Sequence, residues 1–317
     1  MRALVTGGAG FIGSHLVDAL VERGGAVLVV DDLSTGRERN LDAARPRGAT
    51  LLVADVTDAP AVSEAARKFK PDAVFHLAGQ IDVRRAVRDP VFDATVNVAG
   101  TVAVLEAARR AGARFVFAST GGAIYGEGAA RPLPLAEEEE CVPGSPYGQS
   151  KLAAEGYVAY FRRVHEVPAA ALRLGNVYGP RQDPLGEAGV IAILCGKLAD
   201  GGDPIVYGDG HQTRDYVYVG DVVEAMLVAD QRLAAAGTDG ALTYNIGTGL
   251  ETSVLHLVER LGRIGDRSDF TPRMAPERPG EVQRIALDSS RAQAELGWTS
   301  ATELDEGLRR TLAAVDA

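Results

Sequence analysis

Cysteine is nearly absent from this chain. Its 317 residues hold two, Cys141 and Cys195, which form no metal-ligand pattern and suggest no oxidising compartment. The histidines His15, His76, His165, His211 and His256 show no metal spacing either, so no metal is expected. Positive charge is in deficit. Lys and Arg number 33 against 43 Asp and Glu, a net charge of −10, and an acidic surface argues against a nucleic acid or an anionic membrane as partner. No apolar run approaches the length of a membrane span, no internal repeat or low-complexity linker occurs, and the chain enters its first strand at once, which leaves no room for a signal peptide. The expectation is a cytoplasmic protein. A hydrophobic content of 46% is ample for a core.

The chain opens on an apolar strand over residues 2–5, a turn through Gly7, Gly10, Phe11, Ile12 and Gly13, and a helical pattern over Ser14–Val21. Strand, glycine turn and helix in that order suit a pyrophosphate, because side chains would block the approach of backbone N–H groups to it. A second strand, Ala26–Val30, ends in Asp31-Asp32. An acid there accepts hydrogen bonds from the adenosine ribose and repels a 2′-phosphate. Arg37 comes only after the turn Leu33-Ser34-Thr35-Gly36, so the expected cofactor is NAD. A third strand ends at Asp55-Val56, where an adenine amino group could be read. A fourth, Pro71–His76, leads into Leu77-Ala78-Gly79-Gln80, mostly small residues that let a cofactor lie close. A long helix from about Pro90 to Ala111 carries Asn97, a fifth strand runs from Arg114 to Ser119, and a sixth from Pro168 to Leu174.

This rhythm predicts an α/β fold, a Rossmann-type doubly wound parallel sheet, with ligands at the carboxyl ends of its strands. Residues 1–174 form the expected nucleotide-binding domain. Residues 175–317 read mostly as a smaller mixed α/β lobe, with some segments returning to the sheet and a cleft between the two. The run Glu137–Glu140 reads as a solvated loop face.

Tyr147 and Lys151 stand four apart at the start of a helix and so share a face. A tyrosine with a pKa near ~10 is a poor base, but a neighbouring ammonium and a positive nicotinamide would stabilise its phenolate.

The stretches TGGAGFIGSHL, DVTD, STGGAIYGE, SPYGQSK, LRLGNVYGPRQDP and GDGHQTRDYVYVGDV, spread over the whole length, resemble the extended short-chain dehydrogenase/reductases. The resemblance is closest to the UDP-glucose 4-epimerases and their nucleotide-sugar relatives. It implies that Tyr147 takes the proton of the sugar 4-hydroxyl while hydride passes from C4 to NAD and back to the opposite face of a 4-keto sugar. Lys151 would hold the nicotinamide ribose and tune Tyr147. The small hydroxyl residue that completes the family triad falls at Gly121, followed by Gly122, so the assisting role goes to Thr120 and Ser119 takes the cofactor side. Asn176, Arg214 and Arg278 would meet the diphosphate, Val190, Ile191, Ile205, Val206 and Tyr207 would frame the uridine, and Glu281 would take its ribose. Aligned from Arg278-Pro279-Gly280-Glu281, Ile285 stands at the wall facing the sugar C2 substituent, where a tyrosine is common in relatives restricted to non-acetylated sugars. The expected reaction is therefore UDP-glucose/UDP-galactose epimerisation with some tolerance of a bulkier sugar. UDP-glucuronic acid and UDP-N-acetylglucosamine are the alternative substrates. A homodimer through the helices near 90–111 and 147–165 is implied as well.

The same resemblance weighs the rivals. Dehydratases and decarboxylases on this fold carry a glutamate where this chain has Ala123, and elimination without an acid there lacks its proton carrier. A net reductase would need exchangeable NADPH, against Asp31. A non-catalytic NAD-binding sensor would have no use for Tyr147, Lys151 and two diphosphate arginines together.

Overall fold

The computed structural model describes residues 1–127, 131–184, 189–277 and 282–315. Its strands are β1 (Arg2–Thr6), β2 (Ala26–Asp31), β3 (Ala49–Val53), β4 (Ala73–His76), β5 (Arg114–Thr120), β6 (Ala169–Leu174), β7 (Asn176–Tyr178), β8 (Ile205–Tyr207), β9 (Thr213–Arg214), β10 (Tyr216–Tyr218), β11 (Thr243–Ile246), β12 (Thr252–Ser253) and β13 (Arg273–Ala275). The helices of the first half are α1 (Phe11–Glu22), α2 (Ala59–Phe69), α3 (Val83–Arg88), α4 (Pro90–Ala94), α5 (Gly100–Ala111), α6 (Gly121–Ile124) and α7 (Pro146–His165). Those of the second are α8 (Val190–Ala199), α9 (Val219–Ala236), α10 (Val254–Ile264), α11 (Ser290–Leu296) and α12 (Leu304–Ala313).

Seven strands form one sheet in the order β11-β6-β5-β4-β1-β2-β3, and all six neighbouring pairs are parallel. The strands read as continuous apolar runs because both faces are covered. Alternate residues feed two cores. Ala3, Val5, Val116 and Ala118 pack with Leu16 of α1 and Met226 of α9. Leu4, Phe115 and Phe117 pack with Val62 of α2, Val104 of α5 and Ala154 and Val158 of α7. The chain reverses its direction across the sheet between β1 and β4, and a crevice at that point is where ligands bind in such sheets.

The second lobe has its own core, in which Ile191 and Leu194 of α8 meet Val206, Tyr218, Leu257 of α10 and Leu308 of α12. Strand β11 returns to the edge of the large sheet beside β6, and α9 packs on α1 and β5, so residues 219–246 belong with the nucleotide-binding layers.

Three expectations are corrected. The helix over 90–111 is interrupted by a π-helical turn at Thr95–Ala99. Among the described residues it is also the one helix long and apolar enough to cross a membrane, against the expectation that no run approaches that length; almost half of its apolar window is buried, as befits a crossover helix. Strands β9 and β10 are separated by Asp215, whose buried carboxylate turns inward to accept from Thr248 N (2.7 Å), Gly249 N (3.0 Å) and Leu287 N (3.1 Å). Finally, Glu137 is not on a solvated face. Its side chain is 3% exposed and accepts from Asn245 N at 2.7 Å.

Candidate active site

The turn after β1 is made for close approach. Gly7 has φ +69°, and a Cβ there would lie 2.6 Å from the Ala78 nitrogen; a Cβ on Gly13 would lie 2.1 Å from the Gly7 carbonyl oxygen. A larger residue at either position would drive β1, α1 and the end of β4 apart. Gly10 is the N-cap of α1 and, among the described residues, no side chain caps it. The first-turn N–H groups at Phe11 and Ile12 are therefore presented to an anion. Asp31 sits beside this turn. Its Oδ2 accepts from Ala9 N and its Oδ1 from Leu33 N, both at 2.9 Å, and a Cβ on Gly36 would lie 2.6 Å from Oδ1. Burial raises the Asp31 pKa, and the two backbone N–H groups oppose it. Asp32 is exposed and shapes the turn by accepting from Ser34 N and Ser34 Oγ, with Thr35 exposed beside it. Arg37 is paired with Asp183 at 3.0 Å. Asp55 accepts from Thr57 N at 2.8 Å, and Val56 is buried against Gly100.

At the ends of β4 and β5 the catalytic candidates converge. Ser145 caps α7 by accepting from Gly148 N at 3.2 Å, and Pro146 opens the first turn. That turn carries Tyr147, which faces the Thr120 side chain at the end of β5. Lys151 follows one turn later, 4% exposed. Its Nζ donates to the Ala118 carbonyl at 3.0 Å and lies 4.8 Å from the Phe117 ring centre. A Cβ on Gly79 would come within 3.3 Å of Lys151 Nζ and 2.8 Å of Asn97 Oδ1, so Gly79 keeps the floor of the crevice low. Burial pushes Tyr147 up to about 12; the Thr120 side chain works against this and Asp93 adds to it. Burial pushes Lys151 down to about 8, opposed by Asp93 and Glu155. Burial, not the Lys151 ammonium expected from sequence, sets the direction of the Tyr147 shift.

On the substrate side, Gly122, Asn176 and Thr120 meet. A Cβ on Gly122 would lie 3.2 Å from Asn176 Oδ1 and 3.9 Å from Thr120 Oγ1. Asn176 Oδ1 is buried with no hydrogen-bond partner among the described residues, an amide held ready for a ligand.

The model of the NAD dependent epimerase/dehydratase family matches residues 3–247. The UDP-glucose 4-epimerase of Mycolicibacterium smegmatis is 45% identical over 315 residues, 98% of this chain and 97% of that protein. The chain belongs to the NAD dependent epimerase/dehydratase family. Among solved structures, the Thermotoga maritima UDP-glucose 4-epimerase with UDP-glucose superposes with a TM-score of 0.93 at 42% identity, covering 100% of this chain and 99% of that one. The Thermus thermophilus UDP-glucose 4-epimerase complex with NAD gives 0.87 at 40% identity, covering 100% and 99%. The residues here fit NAD: the glycine cradle, the uncapped α1 terminus and Asp31 supply what its pyrophosphate and ribose need.

Several residues expected from the family resemblance are placed differently. Ser119 does not face the cofactor crevice; its hydroxyl donates to Glu155 at 2.5 Å inside the protein. The reason is strand alternation: Phe115, Phe117 and Ser119 share the face of β5 that α7 covers. Gln80 and Asn97 turn their side chains inward. Asn97 clamps the Gln80 backbone, accepting from its N–H and donating to its carbonyl, both at 2.9 Å, so they support the crevice floor. Ile191 and Val206 are 1% exposed in the second core, which leaves Ile205, Tyr207 and Val190 as the partly open members of the uridine set. Leu174 is buried at the end of β6. Gly121 packs against Leu287, 2.4 Å from where a Cβ would sit, which excludes a serine without a shift of Leu287. Ile285 is not an open wall. It is 1% exposed and packs with Ile124, Tyr125, Leu135 and Leu287. Arg214 is half-buried and donates to the Thr213 carbonyl at 2.8 Å. Arg278 and Glu281 lie outside the described residues.

Sequence reasoning missed two buried networks. In one, Arg173 pairs with Glu155 at 2.8 Å and donates to the Tyr125 hydroxyl at 2.9 Å, which donates to Asn245 Oδ1 at 2.8 Å. In the other, Asp93 Oδ1 accepts from Gln80 Nε2 at 2.9 Å and from Asn97 Nδ2 at 3.1 Å. The fourfold step Tyr147, Lys151, Glu155 along one helix face was the available signal for the first. For the second, the step from Asp93 to Asn97 was the local signal, while Gln80 comes from a separate segment after β4.

Proposed function

We propose that this chain is an NAD-dependent UDP-sugar 4-epimerase that interconverts UDP-glucose and UDP-galactose through a transient 4-keto sugar. Tyr147 facing Thr120, with Lys151 one turn on and a dinucleotide cradle beside them, carries this reading, and the names of the relatives, one of them solved with UDP-glucose and one with NAD, support it. Bound NAD supplies the acceptor, and then the donor, of the C4 hydrogen with its electron pair. The chain supplies the rest. Tyr147 accepts the 4-hydroxyl proton and returns it after the 4-keto sugar has presented its other face, so the proton count closes without an outside base. Thr120 holds the same oxygen in line. Lys151 contributes positive charge, and Tyr147 becomes an effective base when the cofactor's charge joins it. Asn176 and Arg214 take the diphosphate, arginine suiting its oxygens, and Ile205 and Tyr207 frame the base. Ala123 leaves no acid for elimination.

Proton NMR of the anomeric signals tests the reaction. UDP-glucose and UDP-galactose should equilibrate with the purified protein, and Tyr147→Phe should lose roughly 10³-fold or more, about 4 kcal/mol, while retaining NAD. Wild-type turnover by Tyr147→Phe, or no epimerisation of either sugar, overturns the reading. UDP-glucuronic acid and UDP-N-acetylglucosamine, run alongside, test the alternative substrates. A cytoplasmic homodimer is part of the proposal. Val87, Val91, Tyr157 and Val164 expose 62, 75, 44 and 51% of their surface, and α3 and α4 both pack on α7, so apolar side chains of these three helices are open to a second copy. Light scattering at the mass of one chain would refute the dimer.

A further inference from the structure

Lys151 is a buried ammonium, and such a charge needs a counter-charge. Two carboxylates reach it, Glu155 and Asp93, and His76 is the third titratable group in its surroundings. His76 is fully buried and pushed down to about 3 by burial, with Lys151 adding to the shift, so it is neutral. Its ring partners, Thr6 Oγ1 at 2.7 Å and Thr101 Oγ1 at 3.0 Å, carry no charge. Glu155 is matched by Arg173 at 2.8 Å, with Ser119 donating to it as well, and the pair adds little net charge.

Asp93 differs. It is 1% exposed, and two neutral amides, Gln80 Nε2 and Asn97 Nδ2, donate to the same one of its oxygens. Its second oxygen is buried with no hydrogen-bond partner among the described residues. Asn97 connects it to the site: its amide nitrogen donates to Asp93 and to Ser150 Oγ on α7, and its Oδ1 and Lys151 Nζ flank the same point above Gly79. Asp93 stands two residues before the π-helical turn that carries Asn97, the kind of irregularity often found at functional sites. A buried carboxylate that leaves an oxygen unpaired is costly and calls for a reason.

We propose that Asp93 is a positioning residue of the reaction: the buried counter-charge that, across Asn97, keeps Lys151 an ammonium ion beside Tyr147. The proposal rests on the epimerase reading for the role of Lys151, but its test does not. Removing the charge should make Lys151 lose its proton at lower pH and Tyr147 ionise at lower pH, so both move in the acid direction. This follows from their signs, since Asp93 raises both groups.

The lysine count makes the measurement direct. The chain has four lysines, Lys68, Lys70, Lys151 and Lys197, so side-chain-labelled lysine gives four signals, and Lys151→Met assigns the one of interest. In the NAD-loaded protein the Lys151 midpoint should fall by roughly one pH unit in Asp93→Asn. Both limbs of the turnover profile should shift to the acid side with it, and Asp93→Glu should restore the wild-type midpoint at least in part. If Asp93→Asn does not fold, Asp93→Ser is titrated in its place. A folded neutral variant with an unmoved Lys151 midpoint overturns the proposal, even if it is less stable, because that is the outcome of a purely structural role. A shifted midpoint in a protein that epimerises nothing supports the counter-charge and refutes the reaction instead.

Discussion

The two buried polar networks flanking the crevice are built on opposite principles. Around Glu155, charge meets charge: Arg173 pairs with it, Ser119 donates to it, and Tyr125 and Asn245 extend the chain to the second half of the molecule. Burial alone would lower the Arg173 pKa, but Glu155 and Tyr125 outweigh it and hold the guanidinium firmly charged. Around Asp93, one carboxylate faces amides and keeps an oxygen unpaired among the described residues. The first network is balanced and fixes β5, β6 and α7 to one another. The second is unbalanced, and an unbalanced buried charge acts on its neighbours. The comparison teaches that the charge left over, more than the number of buried polar groups, marks the network tied to chemistry.

The largest effect should come from breaking the balanced pair. Arg173→Met leaves Glu155 buried without its partner and should cost about 3–5 kcal/mol of stability, read from the denaturant midpoint. Adding Glu155→Gln should recover part of that loss; no recovery would mean that Arg173 matters through packing. Next is the hydroxyl on the reacting side. Thr120→Ala removes a hydrogen bond to an oxygen that becomes charged and should lower turnover by roughly 10- to 100-fold, with nucleotide-sugar affinity near normal. Its strand neighbour separates the two roles. Ser119→Ala should cost about 1–2 kcal/mol of stability by removing a donor to Glu155, with turnover close to wild type; a crippled enzyme of normal stability would reverse the assignment. The smallest effect belongs to Ile285. Ile285→Val should cost about 1 kcal/mol as a small core cavity and leave the preference among UDP-sugars unchanged in competition assays. A changed preference would return Ile285 to the sugar wall.

Much of this protein was legible in one dimension. Gly7, Gly10 and Gly13, the acid at the end of β2, the alternation of strand and helix, and the four-residue step from Tyr147 to Lys151 are all local patterns. Local patterns survive in a sequence because backbone sterics and helix and strand periodicities act over a few residues. Folding decided the rest. Ser119 and Thr120 are adjacent in sequence, but only the packing of α7 on one face of β5 gives Ser119 to Glu155 and Thr120 to Tyr147. Ile285 looked like a gate by alignment, and the meeting of residues 124–125, 135 and 285–287 made it core. Glu137 sat in an acidic run, and Asn245, 108 positions away, drew it inside. Asp93 and Asn97 are one helical turn apart, and only folding brought Gln80 to Asp93 and Ser150 to Asn97. Burial and electrostatic coupling depend on distance in space, and a sequence records only distance along the chain.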